Sequence, residues 1–180
     1  VVIRDPADLA SILPDNFGAL PILFVVSGET EKNADAFLAR MEAAGIKNSR
    51  KVKAAGAFPF LEDNAEIGKW ILQCERNPFP QQVTLVPTSD RYKKAYWVTI
   101  DKCDPVATAK PEERPRFEAK IDRELNRIAI TSRGVDQFSL LVNDALVDLD
   151  KEISVFVNGQ PAWKGKKARN LDDVATGVLR

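Results

Sequence analysis

Four residues, Asn77-Pro78-Phe79-Pro80, divide this chain into two stretches that follow different folding rules. Pro78 and Pro80 have no backbone N–H and a locked φ, so neither a helix nor a central strand runs through them. Before them the pattern is strand, helix, strand, helix. Pro21-Ile22-Leu23-Phe24-Val25-Val26 is an unbroken apolar run ended by Ser27-Gly28, the pattern of a strand buried on both faces of a parallel sheet. A helix is predicted from Glu31, with Ala34, Phe37, Leu38, Met41 and Ala44 on one face and Gly45 as its left-handed stop. Residues 49–55 read as a second, weaker strand. Asp63 or Asn64 is placed to cap a second helix, whose expected buried face is Ile67, Trp70, Ile71 and Cys74.

Beyond the prolines the helical period gives way to short apolar or alternating runs at residues 83–86, 95–100, 117–121, 127–131, 138–142 and 153–157. Turn residues separate them, as in an antiparallel sandwich or barrel. Val157-Asn158-Gly159-Gln160 carries the sharpest local signal, since Asn-Gly accepts positive φ at both central positions of a tight hairpin. Residues 104–116 hold Pro105, Pro111 and Pro115 among charges and read as an exposed loop. A last short helix is expected over residues 170–179.

The 26 basic and 26 acidic side chains cancel, which leaves no electrostatic case for nucleic acid. The longest apolar run, residues 20–26, is strand-sized, against the roughly 20 residues needed to span a bilayer. Val1-Val2-Ile3-Arg4-Asp5-Pro6 has neither an initiator Met nor a signal-peptide pattern, so the native N-terminus is expected to lie elsewhere. The compartment stays open, export from a bacterium included. Cys74 and Cys103 do not decide it, because spacing alone cannot show that two cysteines meet.

Two stretches carry a family resemblance. Val25-Val26-Ser27-Gly28-Glu29-Thr30-Glu31, followed by Lys53-Ala54-Ala55-Gly56-Ala57-Phe58-Pro59-Phe60, resembles the last third of an α/β-hydrolase. The resemblance implies Glu31 as the position of the triad acid and Ala57 as the position of the missing catalytic His. Trp70 sits in a helix similar to that family's closing helix. Tyr96-Trp97-Val98, Leu125-Asn126-Arg127-Ile128, Leu141-Val142-Asn143-Asp144-Ala145-Leu146-Val147-Asp148-Leu149-Asp150 and Val155-Phe156-Val157-Asn158-Gly159 resemble a C-terminal β domain attached to some bacterial α/β-hydrolase-like proteins. The implied fold class is α/β plus all-β: a partial α/β-hydrolase-like βαβα layer over residues 1–78, then a β-sandwich-like domain over residues 79–180. Two parallel strands with helices cannot cover both faces of a sheet. The partial layer is therefore expected to need an upstream hydrolase region, the β domain or another copy of the chain.

The chain contains no histidine and no nucleophile elbow. Without a base a serine hydroxyl is a poor nucleophile near neutral pH, so a hydrolase-family region of this kind is expected to be inactive alone. An ester or peptide substrate would belong only to a longer parent. The competing expectation is a non-catalytic binding or interaction module centred on the β domain. Glu29 and Glu31 also have a structural explanation, since carboxylates are stabilised at a helix N-terminus. Asn143, Asp144, Asp148 and Asp150 are rich in oxygen, yet lack the glycine and spacing of a calcium loop, and turn chemistry explains them. Neither a metal nor another cofactor is expected. Tyr96 and Trp97 should face opposite ways on a strand, one of them in the core. Trp163 is expected to be core, and Lys164, Lys166, Lys167 and Arg169 a solvated edge.

Overall fold

The computed structural model describes residues 1–7, 9–10, 12–28, 30–56, 58–106 and 109–169. The expected helix at residues 170–179 lies outside them. By its internal contacts the chain forms two compact units, Val1–Asn77 and Pro78–Arg180.

The first unit is built on a three-stranded parallel sheet of β1 (Val2–Arg4), β2 (Ile22–Val26) and β3 (Ser49–Lys53), in that order. All five residues of β2 are buried, because the central strand is covered on both faces. Successive side chains of a strand point to opposite faces. Ile22, Phe24 and Val26 accordingly pack with Ala34, Phe37 and Met41 of α1 (Glu31–Ala43) and with Leu9, while Leu23 and Val25 pack with Phe60 and Ile67. Ile67 belongs to α2 (Asn64–Gln73). Gly45 ends α1 at φ 77°, with its N–H on the Glu42 carbonyl at 2.9 Å and the Ile46 N–H on the Met41 carbonyl at 2.9 Å. This pair of bonds satisfies carbonyls that the last helical turn leaves open.

The second unit holds β4 (Gln82–Leu85), β5 (Lys94–Ala95), β6 (Val98–Cys103), β7 (Arg116–Asp122), β8 (Arg127–Arg133), β9 (Val135–Leu140), β10 (Ile153–Val157) and β11 (Gln160–Gly165). One sheet runs β11-β10-β8-β7-β4 and the other β5-β6-β9. Trp97, Val98 and Ile100 share a core with Phe117, Ile121, Ile128, Ile130 and Ile153, closed by Leu146 and Val147 from the connection after β9. The turn between β10 and β11 has Asn158 at φ 51° and Gly159 at φ 80°, the positive values that an Asn-Gly hairpin needs.

The structure corrects the expected fold class. The chain is mostly β, with 35% strand against 20% helix, two α-helices among the described residues and three sheets. It is not a partial hydrolase-like layer followed by a sandwich. Two pairings account for the difference. β1 lies parallel to β2, with Ile3 opposite Phe24, and adds a third strand to a sheet expected to have two. β10 runs parallel to β8, with Val155 opposite Ile128, so the larger sheet is mixed where an antiparallel arrangement was expected. β9 leaves that sheet to pair with β6, and the chain returns through a connection long enough to enter β10 in the parallel sense. Residues 95–100 are likewise not one strand. Tyr96 and Trp97 form the turn between β5 and β6, with Tyr96 at φ 53°, so strand alternation does not decide which of them is buried. Trp97 is the buried one, and its indole N–H reaches the Pro80 carbonyl at 2.8 Å.

Candidate functional site

Three places concentrate polar or apolar groups that invite a functional reading. The first is the carboxyl-terminal edge of the parallel sheet. Asp5 follows β1 with φ 49°, and its Oδ1 accepts the Ser27 hydroxyl at 2.7 Å, the Ser27 N–H at 3.3 Å and the Thr30 hydroxyl. These bonds, that from Thr30 first, hold the Asp5 carboxyl below its usual range. Asp5 thereby ties the ends of β1 and β2 to the head of α1. Sequence reading missed it, because nothing local to Arg4-Asp5-Pro6 announces that Ser27 and Thr30 lie beside it.

Glu31, the position implied for the triad acid, stands in the first turn of α1. Lys51 Nζ donates to its carboxylate at 3.0 Å and Lys53 Nζ lies 3.7 Å away. The hydrogen bond and charge of Lys51 hold Glu31 below the ordinary glutamate range. Asp35, at 2.6 Å, and Glu31 in turn raise Lys51. Both lysines project from the edge strand β3 towards α1, so the group works as an ion-pair ladder between two elements. Ala57 and Glu29 lie outside the described residues.

The second place is the loop between β9 and β10. Asn143 Oδ1 accepts the Ala145 N–H at 3.0 Å, and Asp148 Oδ1 accepts the Asp150 N–H at 3.0 Å, both local Asx turns. Arg169 then clamps two of the carboxylates, at 2.7 Å to Asp144 and 2.7 Å to Asp150. Arg169 is exposed, as expected of that basic run, and its guanidinium also ties this loop together. Among the described residues no group of three or more His, Cys, Asp or Glu side chains is arranged to hold a metal.

The third place is the outward face of α2 and the turn before it. Of the expected buried face, Ile67 is buried, Trp70 and Cys74 are partly covered, and Ile71 is 52% exposed. Leu72 is 88% exposed, Leu61 66% and Phe58 65%. Asp63 does not cap the helix with its side chain. Both its oxygens accept the Ala55 N–H at 3.2 Å, which draws the loop after β3 against the helix start. Beside the apolar residues runs a groove of about 510 Å³ lined by Arg50, Glu62, Glu66, Lys69 and Trp70. In the second unit Trp163, expected in the core, is 46% exposed at the sheet edge, its ring beside Gly165. No helix among the described residues is long and apolar enough to cross a membrane.

No protein-family model, curated protein or solved structure matches this chain.

Proposed function

We propose that this chain is a non-catalytic protein-binding module that works through the exposed face of α2. The observation that carries the reading is the grouping of Phe58, Leu61, Ile71 and Leu72 in one short segment, each more than half exposed. Large apolar side chains scattered singly need no explanation, whereas two just before α2 and two in its last turn, all exposed, point to a contact surface. The surface lies in the first unit, not in the β-rich unit where a binding role was expected.

The polar groups at the carboxyl-terminal edge of the sheet and on its α1 side favour scaffolding over chemistry. The Glu31 carboxylate is engaged by Lys51 and Lys53, and Asp5 by Ser27 and Thr30. A hydrolase needs a base within reach of its nucleophile, and this chain has no histidine to supply the usual one.

Titration with the fluorescent dye 1-anilinonaphthalene-8-sulfonate tests the surface. The expected result is saturable enhancement by the full chain that is lost in Leu61→Lys/Leu72→Lys while the circular dichroism spectrum is kept. An equal response from that variant overturns the reading.

A further inference from the structure

We infer that Asn158 is a modification site, at which the chain's own backbone converts asparagine to aspartate and isoaspartate, and that opening of the β10–β11 hairpin gates the conversion. The inference is independent of the binding surface on α2.

Asn-Gly occurs once in the chain, at Asn158-Gly159. In any asparagine the next amide nitrogen is placed to close a five-membered ring on the side-chain carbonyl carbon. A following side chain obstructs that approach, and glycine has none. Both residues are exposed at the tip of the hairpin, and a Cβ on Gly159 would meet nothing within 4 Å, so solvent reaches the amide. A solvent base takes the Gly159 amide proton, and the nitrogen attacks Cγ of Asn158. The new C–N bond forms as the Cγ–Nδ2 bond breaks, and ammonia leaves with a proton from water. Water then opens the succinimide at one of its two carbonyls. One opening leaves aspartate, and the other leaves isoaspartate, whose main chain runs through the side-chain carbon. Water is the co-reactant throughout, and nothing is oxidised or reduced.

The fold holds this reaction back. Asn158 Oδ1 accepts the Ser132 N–H at 2.8 Å, its Nδ2 donates to the Ser132 carbonyl at 3.1 Å, and its backbone N–H meets the Ile130 carbonyl at 2.8 Å. These bonds turn the carboxamide towards β8, whereas Gly159 leads into β11 on the other side of β10. The nitrogen reaches Cγ only after both side-chain bonds break. That opening is local. β11 is an edge strand, five of its six residues are exposed, and a register shift at Val155/Phe156 interrupts its ladder with β10. Segments with few buried contacts open at a fraction of the global cost. Once Asn158 is converted the clasp does not re-form. Aspartate has no N–H for the Ser132 carbonyl and turns a carboxylate oxygen towards it, and isoaspartate lengthens the turn by one main-chain carbon. Conversion therefore accumulates with age, as an added negative charge and a loosened β10–β11 edge.

Peptide mapping by mass spectrometry tests the inference on the full chain, incubated folded and in urea in mildly alkaline buffer. Aspartate and isoaspartate should accumulate at Asn158 ahead of Asn48-Ser49 and Asn143-Asp144 in both samples. The folded chain should convert at least about tenfold more slowly than the chain in urea, the effect of an opening cost of roughly 1.4 kcal/mol. Asn158→Asp, which installs one product directly, should lose hydrogen-exchange protection across β10 and β11 while β6 and β9 keep theirs. A folded chain in which Asn158 is not converted, follows another asparagine, or converts as fast as in urea overturns the inference. So does unchanged β10–β11 protection in Asn158→Asp. The rates are read on the unaltered chain, so they decide the matter where Asn158→Asp does not fold.

Discussion

The side chain of Asn126 pairs with the backbone of Asp148 as one strand pairs with another. Its Nδ2 donates to the Asp148 carbonyl at 2.9 Å and its Oδ1 accepts the Asp148 N–H at 2.8 Å, while Nδ2 also reaches the Glu152 carbonyl at 3.0 Å. Asn126 is buried in the turn between β7 and β8, at φ 47°. The bonds hold the end of the long connection where β10 can start beside β8, and the Ser154 N–H then meets the Asn126 carbonyl at 3.1 Å. Asn158 repeats the device on Ser132, at 2.8 Å and 3.1 Å, at the other end of the β8–β10 pair.

Asn126→Ala removes three bonds and leaves partly buried backbone groups without their partner. The expected loss is about 2–4 kcal/mol in urea unfolding. A change below about 0.5 kcal/mol would show that the connection holds itself in place.

At the β10–β11 turn, Gly159→Val puts a β-branched residue at φ 80°. The cost should be about 1–3 kcal/mol, read as a lower melting temperature. An unchanged melting temperature would mean that the turn adopts another geometry.

Gly68 and Gly45 should respond to Ala in opposite ways. Gly68 lies inside α2 with open space around it, so Gly68→Ala should stabilise by about 0.5–1 kcal/mol through helix propensity. Gly45 sits at φ 77°, so Gly45→Ala should destabilise. Denaturant midpoints that move in the same direction for both would contradict these backbone assignments.

Asp5 makes stability depend on pH in a defined direction. Its folded-state pKa is lowered by Thr30 and Ser27, so the unfolded chain binds the proton more readily. The contribution is present above the ordinary carboxylate value of about 3.9 and is lost as pH falls through the lower folded value. Thr30→Val/Ser27→Ala should flatten the acid side of the stability profile. An unaltered slope would remove Asp5 from the account.

Aryl esters should not be turned over and serine-directed phosphonates should not label the chain, because Ser27 donates to Asp5 and no histidine is present to activate any serine. Stoichiometric labelling of one serine, abolished by its replacement with Ala, would establish the opposite.

Elements whose cause is local are legible in the amino-acid sequence. The apolar run of β2, the spacing of Ala34, Phe37 and Met41 with Gly45 behind them, and the Asn158-Gly159 hairpin all depend on neighbours a few residues apart. Backbone sterics and side-chain periodicity act at that range, so the residues themselves carry the information. Tertiary structure decided the rest. Val2 to Arg4 became a strand because β2 offered an open edge, and β10 ran parallel to β8 because Asn126 met Asp148, 22 residues away. Ile71, apolar and at helical spacing, was left exposed because Phe60 and Ile67 pack on that face of the sheet with Leu23 and Val25. Glu31 met Lys51 by the same route, across the crossover from α1 to β3. Such pairings depend on which distant segments bury surface together, a choice made by the packed chain and not by the residues on either side.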